Sequence, residues 1–491
     1  MLPFKSLIEI KKNKVPVYRQ ISDSIIRHIR EGTLQPGAPL PGSRSIAVLL
    51  GVHRNTITAA YDELLAQGWI ISKPRKGMQV AVDPPLLHVV RYQQITGDAS
   101  HNNKSFFNFE RHFYIAPFRF PEKNSRNAVI INDGFPDIEL APVDIIIREY
   151  RRQLDNRHLK KAMYLRDHGG SPGIKQATRD FLNDSRGLNI GEKNILITRG
   201  AQMAIYIAAS LILQRGDTVV VSEPNYFIAN QLFEKLGAKL VAIPTDKNGM
   251  MVERIEEFVS LQDIRLLYVV PHHHHPTTVT LSAERRSLLL AMINEFNIPL
   301  IEDDYDYDFH YSNKPVLPLA SGNHNGNVIY IGSYTKLLAP SFRIGYMVAA
   351  ENFIHEATTH RRLMDLRGDM IMEEAIAQLI NSGEMTRHIR RSLTVYRKRR
   401  NLMYEFVCSK LDGSVHCALP DGGLALWVRF NKDIPLGRLI EKAASENIFL
   451  SGSSYYLGTN QKYNGIRLGF ASLTEPEMEK AFSVLENAIH R

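Results

Sequence analysis

Cysteine is almost absent from this 491-residue chain, with Cys408 and Cys417 the only two. So few thiols exclude a disulfide scaffold and a cysteine-built zinc site. Long apolar runs are lacking as well. The longest nearly apolar one, Ala201 to Leu213, is too short to span a bilayer and is broken by Gln202 and Tyr206. Met1 to Lys14 has no apolar core of the kind a signal peptide carries, so a cytoplasmic location with no membrane partner is expected. There is no internal repeat, and no low-complexity tract beyond the four histidines His272 to His275. What remains is ordinary globular composition, 44% hydrophobic and 23% charged. Its length corresponds to about two to four domains.

The net charge of +9 is unevenly spread. Residues 1–80 hold 12 Lys/Arg against 5 Asp/Glu, and the rest of the chain holds 48 against 46. A small basic module on a nearly neutral body points to polyanion binding by that module.

Within the module, Val17, Ile21, Ile25 and Ile29 fall four apart and predict a helix that stops at Gly32. Residues 33–42 are too rich in Pro and Gly to be anything but loop. Ser43 can cap a second short helix ending at Gly51, and a third helix runs from about Arg54 to Gln67. Trp69–Ser72 and Met78–Ala81 read as two strands, with Lys73 to Gly77 as the tip between them. Helix, turn and longer helix followed by a two-stranded wing is a DNA-reading arrangement. Arg54, Asn55, Thr56 and Thr58 begin the third helix, the end presented to base edges in the major groove. Arg44, Lys73, Arg75 and Lys76 would meet phosphates and set register. Over about residues 15–82 the stretch "PVYRQISDSIIRHIREGTLQPGAPLPGSRSIAVLLGVHRNTITAAYDELLAQGWI" resembles the winged-helix domain of GntR-family transcription regulators. Double-stranded DNA is the partner this implies. The domain is expected over 12–82, followed by a linker at 83–125 without clear periodicity.

In the body, residues 126–491, β-rich apolar runs alternate with helical stretches from about residue 190 onward, which predicts an α/β fold with a mostly parallel sheet. Each run is followed by a polar cluster. Gly200-Ala201-Gln202 follows Asn194–Thr198, Tyr226 follows Thr218–Val221, and His272 to His275 follow Leu266–Val270. Glu302 to Tyr305 follow Pro299–Ile301, and Ser333 to Lys336 follow Val328–Ile331. Open parallel sheets bind ligands at these carboxyl ends. Lys336 can form a Schiff base with an aldehyde, and Asp303 can keep a pyridine nitrogen protonated. A helix N-terminus at Gly200-Ala201-Gln202 offers N–H groups to a phosphate, to which Ser333 and Arg343 add a hydroxyl and a planar cation. Tyr226 can stack on a ring. Together these residue types suggest pyridoxal 5'-phosphate. Ser-x-x-Lys also marks penicillin-binding enzymes, but their later Lys-Thr-Gly is missing and Tyr311-Ser312-Asn313 precedes the pair, in the wrong order. A metal site at the histidines is disfavoured, since neighbours on an extended segment point to opposite faces and no flanking acid is evident.

"IEDDYDYDF", "VIYIGSYTKLLAPSFRIGY" and "ITRGAQMAIYIAASLILQRGDTVVVSEPNYF" resemble fold-type I aminotransferases. By that resemblance Lys336 carries the cofactor aldimine, Asp303 pairs the pyridine nitrogen and Tyr305 faces the ring hydroxyl. Arg343, Ser333, Ala201 and Gln202 hold the phosphate, Tyr226 stacks on the ring, and His275 joins the cofactor contacts. Arg467 in "GIRLGFA" matches the arginine that clamps a substrate carboxylate. A winged helix fused to such a body resembles the MocR/GabR-type subfamily, as does "RLLYVVPHHHHPTTVTLSAERR". "RHIRRSLTVYRKRR" (387–400) recurs there and reads as an exposed basic helix. The subfamily implies a head-to-tail homodimer that senses an amino acid or amine by aldimine exchange at Lys336. A working aminotransferase with an accessory DNA-binding domain is the alternative, because both need the same lysine.

Overall fold

The computed structural model describes residues 4–10, 15–74, 77–85, 108, 127–157, 159, 168–312, 316–450 and 463–489. The chain forms two units, Met1–Arg111 and His112–Arg491. Most of the expected linker at 83–125 lies outside the described residues.

In the first unit, helix Val17–Arg30 turns Ile21, Ile25 and Ile29 inward, whereas Val17, in its first turn, stays exposed. Helices Ser43–Leu50 and Arg54–Ala66 add Ile46, Ala47, Ile57, Ala60 and Leu64 to the same core. The Pro/Gly-rich loop is pinned by buried Leu34 and Leu40 and by Tyr61 Oη, which donates to the Pro41 carbonyl at 2.7 Å. Ser43 is the first helical residue and does not cap. Gly42 stands before it without a side-chain cap, and Gly51 closes the helix at φ 64°. Strands β1 (Ile70–Lys73) and β2 (Gly77–Val80) pair antiparallel. Lys73 therefore ends a strand instead of lying in the tip. A short helix, Phe4–Leu7, which carries no periodicity of its own, buries Phe4 against this core, as does Ile8 just after it. The packing thus reaches in front of residue 12.

The second unit opens with β3 (Val129–Ile131). Strands β4 (Ile195–Thr198), β5 (Thr218–Glu223), β6 (Lys239–Asp246), β7 (Gly249–Met250), β8 (Ile264–Val269), β9 (Leu300–Asp304), β10 (Val328–Ser333) and β11 (Gly345–Val348) then form one sheet. Its order is β4-β11-β10-β9-β8-β5-β6-β7. Strands β6, β5, β8, β9 and β10 are parallel, β11 runs antiparallel between β10 and β4, and β7 turns back along β6. Successive side chains point to opposite faces of a strand. Ile195 and Ile197 accordingly join one core and Leu196 the other. Val220 against Val221, Leu267 against Tyr268, and Tyr330 against Ile331 repeat that division. Burial on both faces is why these runs are continuously apolar.

Two strands are longer than the apolar runs suggest. Glu302, Asp303 and Asp304 belong to β9 and Ser333 to β10, because ladder hydrogen bonds continue past the last apolar residue. Beyond the main sheet, β12 (Val415–Cys417), β13 (Ala425–Phe430) and β15 (Gly465–Gly469) form a small antiparallel sheet, and β14 (Ile448–Leu450) pairs with β3. The 387–400 segment lies within helix Glu384–Lys410. His388, Ser392, Tyr396 and Arg400 are buried there, while Arg387, Arg390, Arg391 and Lys398 are exposed.

Ile57 is fully buried in the first unit. Ile57→Ala should cost that unit about 2–5 kcal/mol, read by hydrogen exchange over residues 17–80 in the full chain. A loss below about 1 kcal/mol would contradict the packing described.

Candidate functional site

The helix that would read DNA turns Ile57, Ala60, Tyr61 and Leu64 into the core. Arg54, Asn55 and Thr58 are left exposed at its start and Thr56 half-buried. His53 Nδ1 accepts the Asn55 N–H at 3.2 Å and so caps the first turn, and Thr58 Oγ1 donates back to the Arg54 carbonyl. Arg44 is exposed near the start of the preceding helix and Lys73 at the end of β1. Arg75 and Lys76 lie outside the described residues. An Arg–Asn pair at an exposed helix N-terminus suits paired hydrogen bonds to guanine and adenine edges.

In the second unit, a cavity of about 730 Å³ opens at the carboxyl ends of the parallel strands. Ala201, Gln202, Tyr226, His275, Asp303, Tyr305, Ser333, Lys336 and Arg343 all line it. Ala201 begins helix Ala201–Ile212 behind Gly200, which sits at φ 83° and has no side chain to cap the free N–H groups. A Cβ on Gly200 would meet Arg343 Nη2 at 2.8 Å, so glycine is what lets the guanidinium lie against this turn. Ser333 Oγ accepts from Thr335 N at 3.1 Å. Tyr226 packs edge-on to the His275 ring, with centroids 5.0 Å apart.

Asp303 is buried. Its Oδ2 accepts from Tyr268 Oη at 2.7 Å, and its Oδ1 has no hydrogen-bond partner among the described residues. Burial pushes its carboxyl up to about 7, although the Tyr268 hydrogen bond opposes this. A cationic N–H donor reaching the open oxygen would restore the carboxylate. Lys336 Nζ donates to the Gly134 carbonyl at 2.7 Å and lies 4.6 Å from the centre of the Phe135 ring. Burial lowers its amine to about 8 and outweighs the pull of Asp133 in the other direction. The cavity therefore combines an anion-binding turn, an open carboxylate oxygen and a nucleophilic amine.

Arg467, on β15, is fully buried and lies behind this wall. Its Nη2 donates to Tyr305 Oη at 3.0 Å, its Nη1 to the Pro276 carbonyl at 3.4 Å, and its Nε sits 3.2 Å from Asp133 Oδ1. His275 Nε2 donates to the other oxygen of Asp133 at 2.8 Å. Burial alone would raise the Asp133 carboxyl, but His275, Arg467 and Lys336 prevail and hold it at about 2.

The four histidines do not alternate along an extended strand. They curl through a turn in which His273 has φ 45°, and each finds its own partners. His272 contacts Asp304 and the Val316 carbonyl, His273 contacts Asp306, and His274 lies between Ser222 and Thr277. Acids do flank them, brought from β9 thirty residues away. His272, Glu302 and Asp304 place ligand atoms within 4.8 Å of one another. Both Glu302 oxygens accept backbone N–H groups of Leu319 and Ala320, so hydrogen bonds already occupy this cluster.

Asp133, Phe135 and Tyr268 join the site although no sequence motif pointed to them. Tyr268 hides inside an apolar run, yet period-two alternation places it on the sheet face that Asp303 shares. Asp133 and Phe135 sit in "INDGFPD", whose Asn-Asp-Gly marks a turn but gives no sign that it folds over β15.

Residues 142–485 match the family model for aminotransferase class I and II, and residues 17–80 match that for bacterial regulatory proteins of the gntR family. The chain is 27% identical to the HTH-type transcriptional regulator YdfD of Bacillus subtilis, covering 96% of each chain. It is also 27% identical to the probable rhizopine catabolism regulatory protein MocR of Rhizobium meliloti, over 96% of this chain and 94% of that one. The second unit resembles the crystal structure of the kynurenine aminotransferase of Pyrococcus horikoshii in complex with PMP. Identity there is 26% and the TM-score 0.69, over 74% of this chain and 91% of that one.

A buried amine at about 8 makes a kinetic prediction for the cofactor-free protein. Its rate of condensation with pyridoxal 5'-phosphate should rise as the ammonium deprotonates and flatten above that value, followed by absorbance. A rate still climbing tenfold per unit between about pH 9 and 10, as an ordinary lysine's would, contradicts it.

Proposed function

Because this chain belongs to the aminotransferase class I and II family and carries a gntR-family DNA-binding domain ahead of it, the architecture of MocR-type regulators, we propose that it is a transcription regulator that senses an amino compound through pyridoxal 5'-phosphate held at Lys336. The observation that carries the reading is the open Oδ1 of buried Asp303 on the same cavity wall as the Lys336 amine. A pyridinium needs the first and an aldehyde the second. Arg343, Ser333 and the helix start at Ala201–Gln202 suit the phosphate. Tyr226, His275 and Tyr305 would lie around the ring.

The cofactor supplies an aldehyde for which the lysine and an incoming amine compete. The chain's own part is to bind, orient and exchange a proton at Lys336 Nζ, whose lowered affinity for that proton lets it both leave and return near neutral pH. A head-to-tail homodimer belongs to this reading, with effector binding repositioning the winged helices on double-stranded DNA.

The same amine also supports a second reading, a working aminotransferase. Incubation with amino donors and a keto-acid acceptor separates the two. A spectral change without repeated turnover supports the sensor, whereas turnover at about 1 per second or faster supports the enzyme. Borohydride reduction and peptide mapping should place the cofactor on Lys336. A label elsewhere, or none on folded protein supplied with cofactor, overturns both.

On DNA, Arg54→Ala should lose discrimination between sequences by about 1–3 kcal/mol, while Lys76→Ala should weaken all sequences alike and reduce the salt slope by about 1. Titrations of operator and random duplexes at several salt concentrations check this. Equal, salt-insensitive losses from both variants would contradict the assigned roles.

A further inference from the structure

Asp133 pairs with Arg467 at the cavity wall. It lines the cavity, whereas Arg467 is buried behind it with no exposed surface. All three guanidinium nitrogens face protein: Nε faces Asp133, Nη2 donates to Tyr305 Oη and Nη1 to the Pro276 carbonyl. Paired recognition of a carboxylate needs two neighbouring N–H groups open to the ligand. Asp133 is held in place from a second side by His275.

Its backbone is fixed too. Gly469 N on β15 donates to the Asn132 carbonyl at 2.8 Å, and a Cβ on Gly469 would lie 2.5 Å from Gly134 N. Asn132 Oδ1 accepts from Phe135 N at 2.7 Å. A carboxylate arriving at Arg467 would have to displace Asp133, which both Arg467 and His275 hold. Beside Lys336 the wall suits an amine. Phe135 and Tyr305 offer ring faces near Lys336 Nζ, at 4.6 and 5.7 Å, and Glu477 adds a carboxylate to the lining.

We infer that this site takes a primary amine with no carboxylate on the carbon bearing the nitrogen, and that Asp133 is the residue that excludes α-amino acids. The inference rests on the sensing reading above and narrows its ligand class.

The test uses the full-length, cofactor-loaded protein and three pairs matched in side chain: ethanolamine with serine, 2-phenylethylamine with phenylalanine, and putrescine with ornithine. Equilibrium affinity is measured by calorimetry and by the cofactor's absorbance. In each pair that binds, the amine should bind about tenfold tighter or more. Asp133→Asn, which leaves Arg467 without its counter-charge, should tighten the amino acid by about tenfold or more and narrow the ratio. An amino acid that matches or beats its amine in wild-type protein overturns the inference and leaves the sensing reading standing. Silence from all six on protein with cofactor mapped to Lys336 overturns both. If Asp133→Asn fails to hold cofactor, the wild-type ratios decide alone.

Discussion

A strand buried on both faces can carry a charge only where something answers it, and this constraint decides where chemistry sits in the second unit. Strands β4, β5, β8, β9 and β10 give their side chains to one core or the other. Polar groups therefore gather where the strands end. Where β9 carries three acids in a row, each is met. Glu302 takes two backbone N–H groups, Asp304 takes His272 and Tyr330, and Asp303 takes Tyr268. Of the three, Asp303 keeps an oxygen open at the cavity wall.

Two cations near that wall resolve their burial in opposite ways. Lysine can shed its proton, and desolvation draws Lys336 toward the neutral amine despite the nearby Asp133 carboxylate. A guanidinium has no such exit, since it stays charged under all ordinary conditions. Fully buried Arg467 thus needs a fixed counter-ion, and Asp133 provides it from the Asn132–Asp137 loop. The same carboxylate serves both cations, which ties the charge state of the amine to the geometry of the arginine.

The sheet, the carboxyl-end clusters and the recognition helix were legible because each rests on a local pattern. Ile21, Ile25 and Ile29 repeat at helical spacing, continuous apolar runs signal strands covered on both sides, and Arg54-Asn55 opens a helix. What stayed hidden depends on long-range approach. Ser43 reads as a cap, but the turn before it places Gly42 in that role. Glu302 to Asp304 look like a loop because their charge conceals a ladder that depends on β8 and β10. Strand β11 is four residues long and gives no periodicity to read. Asp133 lies beside Arg467 only because strand β15, some 330 residues further on, folds back over it.

The contact between Gly134 and Gly469 has a mechanical consequence. With no side chain between them, the loop and β15 approach backbone to backbone and are joined by the Gly469 N–H bond to the Asn132 carbonyl. Through β13 and β12 that strand is stitched into the smaller sheet, and through Asp137 the loop is bolted to Arg399 on the longest helix described. A displacement of Asp133 would therefore strain two attachments together, the one to β15 and the one to Arg399.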